Sequence, residues 1–149
     1  MVKALVVYDS VYGNTEKVAK ALSAGLESGG VDVDIVKVDA VKFDKLGDID
    51  LLCVGSPVHG WNASKPVKEL LERLKSVEGL SGKKAFAFDT KMKSGLAGSA
   101  RGKIERKLKD LGLTIAKPSK SAIVKGREGP LEESAEAFKQ IGAELAKTL

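Results

Sequence analysis

The fold is decided by residues 8–30, YDSVYGNTEKVAKALSAGLESGG, which leave a short apolar run and pass directly into a helical pattern. The preceding run at 2–8, VKALVVY, has the length and apolar content of a strand buried on both faces. Residues 14–28 then carry apolar residues at helical spacing from Val18 onward, and two glycines predict where that helix ends. The chain therefore starts with a strand–helix unit typical of a parallel sheet.

Strand and helix patterns alternate along the rest of the chain. Residues 31–38 alternate apolar and polar with period two, which indicates a strand at a sheet edge. Pro118 interrupts the last strand, because proline cannot donate to a strand ladder. We predict an α/β fold with a five-stranded parallel sheet of order 2-1-3-4-5 and helices on both faces. The remaining predicted strands are 49–54, 84–88 and a broken fifth at 113–116 and 122–124, and the remaining predicted helices are centred on 67–74, 104–111 and 131–148.

Composition limits the class of protein. A length of 149 residues suits a single domain, predicted over 1–149, and no apolar run approaches the ~20 residues that span a bilayer. One cysteine and one histidine exclude an intrachain disulfide and a Cys/His zinc cluster. We expect a cytoplasmic protein without membrane contact. Many lysines and glutamates with few asparagines and glutamines are typical of heat-adapted proteins, which suggests a thermophilic source.

The chain is basic, with a formal net charge of +5. The excess is concentrated between Lys83 and Lys109. Such a segment suits an acidic protein, a phosphorylated ligand or nucleic acid, but charge runs more often form a solvated helix face, which is the simpler interpretation. We do not expect a nucleic-acid partner.

The predicted topology locates the candidate site. In open α/β sheets a ligand lies beyond the carboxyl ends of the strands, at the point where the strand order reverses. Three predicted loops converge there, at residues 9–15, 56–63 and 89–100. We expect these loops to carry the chemistry.

The first loop has the features of a phosphate site. Ser10, Tyr12 and Thr15 offer hydroxyl groups, and Gly13 permits close approach of the backbone. The helix that follows presents N–H groups at its amino end, which bind anions without a cation. The alternative is an ordinary turn with Asn14 or Thr15 as helix cap.

The other two loops suit a flat ring. His59 and Trp61, the only histidine and the only tryptophan, flank Gly60 on the second loop. An aromatic side chain on a glycine-flanked loop is available for stacking, and Gly60 would let a peptide turn over. The small residues at 94–100 of the third loop leave backbone groups open to the polar edge of a heteroaromatic ring.

These motifs resemble the flavodoxin family. YDSVYGNT is similar to that family's phosphate loop, and VGSPVHGWNASKPVKELLERL is especially similar to the flavodoxin module of di-iron flavoproteins. The resemblance covers essentially the whole chain and implies a flavodoxin-like three-layer sandwich that holds FMN non-covalently. Its phosphate is implied at Ser10, Val11, Tyr12, Gly13, Asn14 and Thr15, and its ring at Ser56, Pro57, Val58, His59, Gly60, Trp61, Asn62, Asp89, Thr90, Lys91, Met92 and Ser94.

The resemblance implies an electron carrier that needs no catalytic side chain. It would exchange electrons with NAD(P)H or with a redox partner protein, which could be acidic. An FMN-dependent quinone reductase and a flavodoxin-like interaction domain without flavin are the alternatives. This chain departs from typical flavodoxins in its basic charge and in having Thr90, Lys91 and Met92 where a second stacking aromatic is usual. We expect Lys91, Lys93 and Arg101 to favour the anionic reduced flavin.

A receiver domain is excluded because Asp9 stands alone after the first strand. A low-molecular-weight phosphatase is excluded because the first loop has no cysteine.

Overall fold

The computed structural model describes residues 2–59, 61–92, 99–125, 129–130 and 132–149. Over those residues strands and helices alternate as the sequence predicts. The strands are β1 (Lys3–Tyr8), β2 (Asp32–Lys37), β3 (Leu51–His59), β4 (Asn62–Ala63), β5 (Lys84–Met92), β6 (Thr114–Ile115) and β7 (Lys120–Val124). The helices are α1 (Asn14–Ser28), α2 (Lys65–Leu74), α3 (Arg101–Asp110) and α4 (Glu132–Ala146), with two 3₁₀ segments at Val38–Ala40 and Phe43–Asp48.

The sheet has the predicted topology. Its strands run in the order β2-β1-β3-β5-β6, and β7 pairs with β5 beyond β6. All of these pairings are parallel, so β6 and β7 together form the broken fifth strand. The order is equivalent to 2-1-3-4-5, as predicted, and the reversal falls between β1 and β3.

Alternating strand residues pack against helices on the two faces. Val7, Leu52 and Val54 belong to a buried cluster with α2 and α3, whereas Val6 and Cys53 belong to a second cluster with α1 and α4. Because both faces are covered, the central strands read as continuous apolar runs. The result is a three-layer sandwich whose carboxyl strand ends are left open for a site.

Helices α1 and α4 pack very closely. A Cβ atom on Gly25 would lie 1.9 Å from the Lys139 carbonyl oxygen, and one on Gly142 would lie 2.1 Å from the Leu22 carbonyl oxygen. Neither distance allows a side chain, so these two glycines set the separation between the helices.

Two strands extend further than the sequence patterns indicated. β3 continues from the predicted end at residue 54 to His59, and β5 continues from 88 to Met92. The extension is a shared ladder in which Pro57 pairs with Thr90. A proline is tolerated there because β1 pairs only as far as Gly55, so no β1 residue needs the missing N–H of Pro57.

No helix in the described part of the chain is long and apolar enough to cross a membrane. The same residues contain no group of three histidine, cysteine or acidic side chains placed to hold a metal ion.

Candidate functional site

A cleft of about 320 Å³ lies at the carboxyl ends of β1, β3, β5 and β7. Its position agrees with the rule that ligands of open α/β sheets bind where the strand order reverses. The first turn of α1, the end of β3 and the end of β5 supply most of its wall. The lining residues are Ser10, Val11, Tyr12, Asn14, Thr15, Pro57, Val58, His59, Thr90, Lys91, Met92 and Val124.

The amino end of α1 forms one end of the cleft. Gly13 precedes the helix with φ 88°, a left-handed conformation that favours glycine. Helix α1 therefore begins at Asn14. The alternative in which Asn14 or Thr15 is the N-cap is wrong, because Gly13 occupies that position. The first N–H groups of a helix have no partner within it, so this end suits an anion. Ser10 Oγ lies 3.5 Å from the Glu16 amide nitrogen.

A buried hydrogen bond ties this helix end to the opposite wall. Thr15 Oγ1 lies 2.8 Å from Thr90 Oγ1, and both side chains are almost completely buried. The bond joins the first turn of α1 to β5 beneath the cleft. It connects the end of the cleft formed by α1 to the wall formed by β5.

The turn after β3 is held by serine hydroxyl groups. The Ser64 amide donates to Ser56 Oγ over 2.9 Å, and Ser56 Oγ donates to the Pro57 carbonyl over 2.8 Å. Trp61, at the tip of this turn, has φ 69°, which is costly for a bulky side chain. Lys103 Nζ donates to the Trp61 carbonyl oxygen over 3.1 Å and so supports the tip from α3.

Asp89 is committed to helix α3. Its Oδ2 accepts hydrogen bonds from the amides of Ala100 and Arg101 and from the Ser99 hydroxyl, at 2.8 to 2.9 Å. The carboxylate thus satisfies donors at the amino end of α3 and complements its dipole. We interpret Asp89 as a support for the wall of the cleft.

Large apolar side chains are exposed at this edge of the sheet. In the described part of the chain they are Val11, Tyr12, Trp61 and Met92, each between 54% and 58% exposed. Val11, Tyr12 and Met92 line the cleft, and Trp61 lies on the turn that follows β3. A cluster of exposed apolar groups beside polar donors is a feature of binding sites.

Eleven of the residues implied by the resemblance line the cleft together: Ser10, Val11, Tyr12, Asn14, Thr15, Pro57, Val58, His59, Thr90, Lys91 and Met92. Gly13 shapes the end of α1 without lining the cleft, and Ser56 and Asp89 act as buried supports. Asn62 Oδ1 accepts the Ala63 amide and lines a different groove. The predictions for Gly60, Lys93 and Ser94, and for the rest of the 94–98 stretch, lie outside the described residues.

Val124 is the lining residue that the loop analysis missed. It is the last residue of β7, and the rule about carboxyl strand ends would have included it had the fifth strand been counted with the other three.

Arg101 does not face the cleft. Its guanidinium donates to Ser121 Oγ over 3.0 Å and to the Ser119 carbonyl over 3.0 Å. Among the described residues, Lys91 is therefore the basic side chain that lines the cleft.

Two buried acid–base groups on β1 and β3 stay neutral near pH 7. Burial, together with the nearby Glu16 carboxylate, raises the pKa of Tyr8. Burial alone raises the pKa of the Cys53 thiol, which makes this buried cysteine unreactive.

Comparison with known proteins places this chain in a family. The flavodoxin family model matches residues 6–141. An uncharacterised protein of Methanocaldococcus jannaschii is 32% identical over 148 residues, which are 97% of this chain and 36% of that protein. A putative diflavin flavoprotein of Nostoc sp. is 28% identical over 152 residues, covering 99% of this chain and 25% of that protein. The chain thus spans about a third or less of these relatives.

Among solved structures, a flavodoxin from the domain Archaea superposes with a TM-score of 0.85 at 28% sequence identity. The match covers 98% of this chain and 97% of that one.

Proposed function

The chain belongs to the flavodoxin family, and we propose that it binds FMN non-covalently in the cleft and acts as an electron-transfer protein. The observation that carries the proposal is the position of the exposed apolar side chains. Val11, Tyr12, Trp61 and Met92 are all at the edge of the sheet where α1 presents its amino end. A ligand that is both flat and phosphorylated would satisfy the two features at once.

The residues present fit the phosphate of FMN. Gly13, in its left-handed conformation, leads into α1 with nothing within 4 Å of where a Cβ atom would be. Ser10 and Tyr12 bring hydroxyl groups to the same end of the cleft, whereas the Thr15 hydroxyl is bonded to Thr90. We assign the phosphate to residues 10–15, where N–H and O–H donors replace a cation.

The residues present also fit the ring. Pro57, Val58 and His59 form one wall and Thr90, Lys91 and Met92 the other. Trp61 and Tyr12 are exposed aromatic side chains at this edge, and we propose that they cover a ring face. We extend the assignment to Gly60, Asn62 and Ser94 from the family resemblance alone.

FMN supplies the redox chemistry, since a flavin can accept and release one or two electrons. The side chains of this chain are left to hold it, to shield it and to set its potential. An acid–base catalyst is not required by this proposal.

We also propose a cytoplasmic location and a heat-adapted source, supported by the composition. The electron donor is proposed to be NAD(P)H or a redox partner protein. Because the relatives are longer than this chain, its partners are not transferred from them.

The proposal is tested by adding FMN to the purified chain, removing the excess and recording the visible spectrum. Retained flavin bands are expected, with one FMN per chain. Steady oxidation of NAD(P)H with a quinone is then assayed. A carrier is expected to show only slow turnover, whereas rapid turnover would favour a quinone reductase. Absence of retained flavin would favour the interaction domain.

A further inference from the structure

A second groove, of about 350 Å³, runs between α2 and α3 beside the cleft. Its floor is apolar and consists of Ala63, Leu71 and Ile104. We propose that this groove, which we call the α2–α3 groove, docks an acidic redox protein. The proposal rests on the proposed function, because docking here matters for electron transfer only if the cleft holds a flavin.

The walls of the groove are strongly basic. Lys68 projects from α2, and Lys103, Arg106 and Lys107 project from α3. All four side chains are exposed. Glu72 is the one carboxylate in the lining.

That carboxylate is already engaged. Lys75 Nζ donates to both oxygens of Glu72 at 2.9 to 3.0 Å and holds the pKa of Glu72 below its usual range. Among the described residues, no carboxylate comes within ion-pair distance of Lys68, Arg106 or Lys107. The lining therefore has four basic side chains against one carboxylate, and this net positive charge suits an acidic partner.

The groove is physically connected to the proposed flavin site. Lys103 lines the groove, and its Nζ holds the carbonyl of Trp61, the exposed aromatic at the tip of the turn after β3. A protein bound over the groove would thus lie against the side of the molecule where a flavin ring would be most accessible. Short separation between redox groups is what an electron-transfer complex requires.

The chemistry favours an acidic protein surface over a small phosphorylated ligand. Phosphate sites in proteins commonly use free N–H groups at a helix end, and the Asp89 carboxylate already occupies that end of α3. The cations are instead distributed along two helices, and Lys103 and Lys107 are one turn apart, about 6 Å. Separated cations around an apolar floor match an acidic surface with an apolar centre.

The test measures electron transfer by stopped flow between the FMN-loaded chain and two proteins of opposite charge, each over a range of ionic strength. A strongly acidic [2Fe–2S] ferredoxin is supplied reduced and donates to the oxidised flavin, because its potential is low. A basic c-type cytochrome is supplied oxidised and accepts from the reduced flavin. We expect the ferredoxin reaction to slow as salt is added, because steering by opposite charges is screened, and the cytochrome reaction to show no such slowing. A ferredoxin rate that stays constant or rises with salt would overturn the proposal.

Paired charge reversals localise the effect. The groove variant carries Lys68→Glu and Arg106→Glu, which leave the Lys103–Trp61 contact intact. The control carries Lys139→Glu and Lys147→Glu on exposed positions of α4 and just beyond it, with an identical change in net charge. At low salt we expect the groove variant to lose about tenfold in rate with ferredoxin and the control to lose less than about threefold. Equal losses would show that net charge alone acts, and would overturn the groove.

A binding readout separates this proposal from the flavin proposal. Amide NMR signals of the chain are recorded with and without oxidised ferredoxin, because residues in the interface shift and broaden on binding whether or not FMN is bound. We expect broadening over residues 61–72 and 101–107. Loss of flavin with this pattern retained would refute only the proposed function. If flavin is retained but the broadened signals lie elsewhere, only the docking site is refuted. The same holds if flavin is retained and NADPH displaces ferredoxin from the groove.

Discussion

The hydroxyl groups of Thr15 and Thr90 lie 2.8 Å apart in a buried hydrogen bond that joins the first turn of α1 to β5. The two residues are far apart in sequence and belong to opposite walls of the cleft. The bond therefore joins the two walls of the site directly. Such preorganisation lowers the entropy lost on binding.

Removing one of these hydroxyl groups leaves the other buried without its partner. We expect Thr15→Val or Thr90→Val each to lower the free energy of unfolding by about 1–3 kcal/mol. The double variant is expected to lose less than the sum, because no unsatisfied hydroxyl remains. Urea denaturation of the four proteins in a double-mutant cycle measures this. Strictly additive losses would mean that the two hydroxyl groups do not interact.

The left-handed conformation of Gly13 gives a second prediction. We expect Gly13→Ala to cost about 1–2 kcal/mol of folding stability and to weaken FMN binding, because the backbone is strained although no atom obstructs the new methyl group. Gly102→Ala is the matched control, since it also meets open space and lies inside α3 without a positive φ. The control should gain about 0.5–1 kcal/mol. Equal effects of the two variants in urea denaturation would contradict the account of Gly13.

The pH dependence of stability follows from Cys53. Burial raises the pKa of its thiol in the folded state, whereas the unfolded thiol ionises near its ordinary value of 9.0. Above that pH the unfolded state binds fewer protons, so the free energy of unfolding falls by up to about 1.4 kcal/mol per pH unit. Tyr8 adds to the fall at higher pH because its pKa is also raised.

Denaturation curves between pH 8 and pH 11 for the parent and for Cys53→Ala check this prediction. The variant should be less stable at pH 8 but show a shallower decline with pH. A thiol reagent at pH 8 should modify the parent only after unfolding. Rapid modification of the folded protein would show that Cys53 is accessible.

Lys91 gives a prediction about the bound flavin. Lys91 is the lysine that lines the cleft among the residues that the structure describes, and its positive charge is expected to favour the anionic reduced flavin. Lys91→Glu should lower the midpoint potential of bound FMN by roughly 60 mV, which corresponds to a tenfold change in a one-electron equilibrium. Lys139→Glu, remote on α4, should shift it far less. Equal shifts in redox titrations of the two variants would indicate a general charge effect.

The sequence predicts the topology well because buried strands and amphipathic helices have distinct apolar periods. The edge strand at 31–38 and the strand broken at Pro118 were both identified in this way. Strand ends were harder to predict. β3 continues through Pro57 to His59 because its partner β5 continues beside it. The local sequence of one strand does not indicate how long the paired strand is.

Side-chain roles in the site depend on contacts that are distant in sequence. Asp89 belongs to the third predicted loop, yet its carboxylate binds the amino end of α3. Arg101 was expected near the flavin, but Ser119 and Ser121 bind its guanidinium. In both cases the partner is ten or more residues away, so periodicity and local spacing carry no signal for it.

Titration of the chain with FMN, followed by the fluorescence of Trp61, tests the central claim most directly. Trp61 is the only tryptophan, so the signal reports on the turn after β3. Riboflavin, which lacks the phosphate, is the matched control ligand. We predict saturable quenching at one FMN per chain and binding of riboflavin weaker by about a hundredfold or more, since hydrogen bonds to a charged group contribute about 1.5–3 kcal/mol each. Unchanged fluorescence at micromolar FMN, or equal affinity for the two ligands, would contradict an FMN site built on residues 10–15.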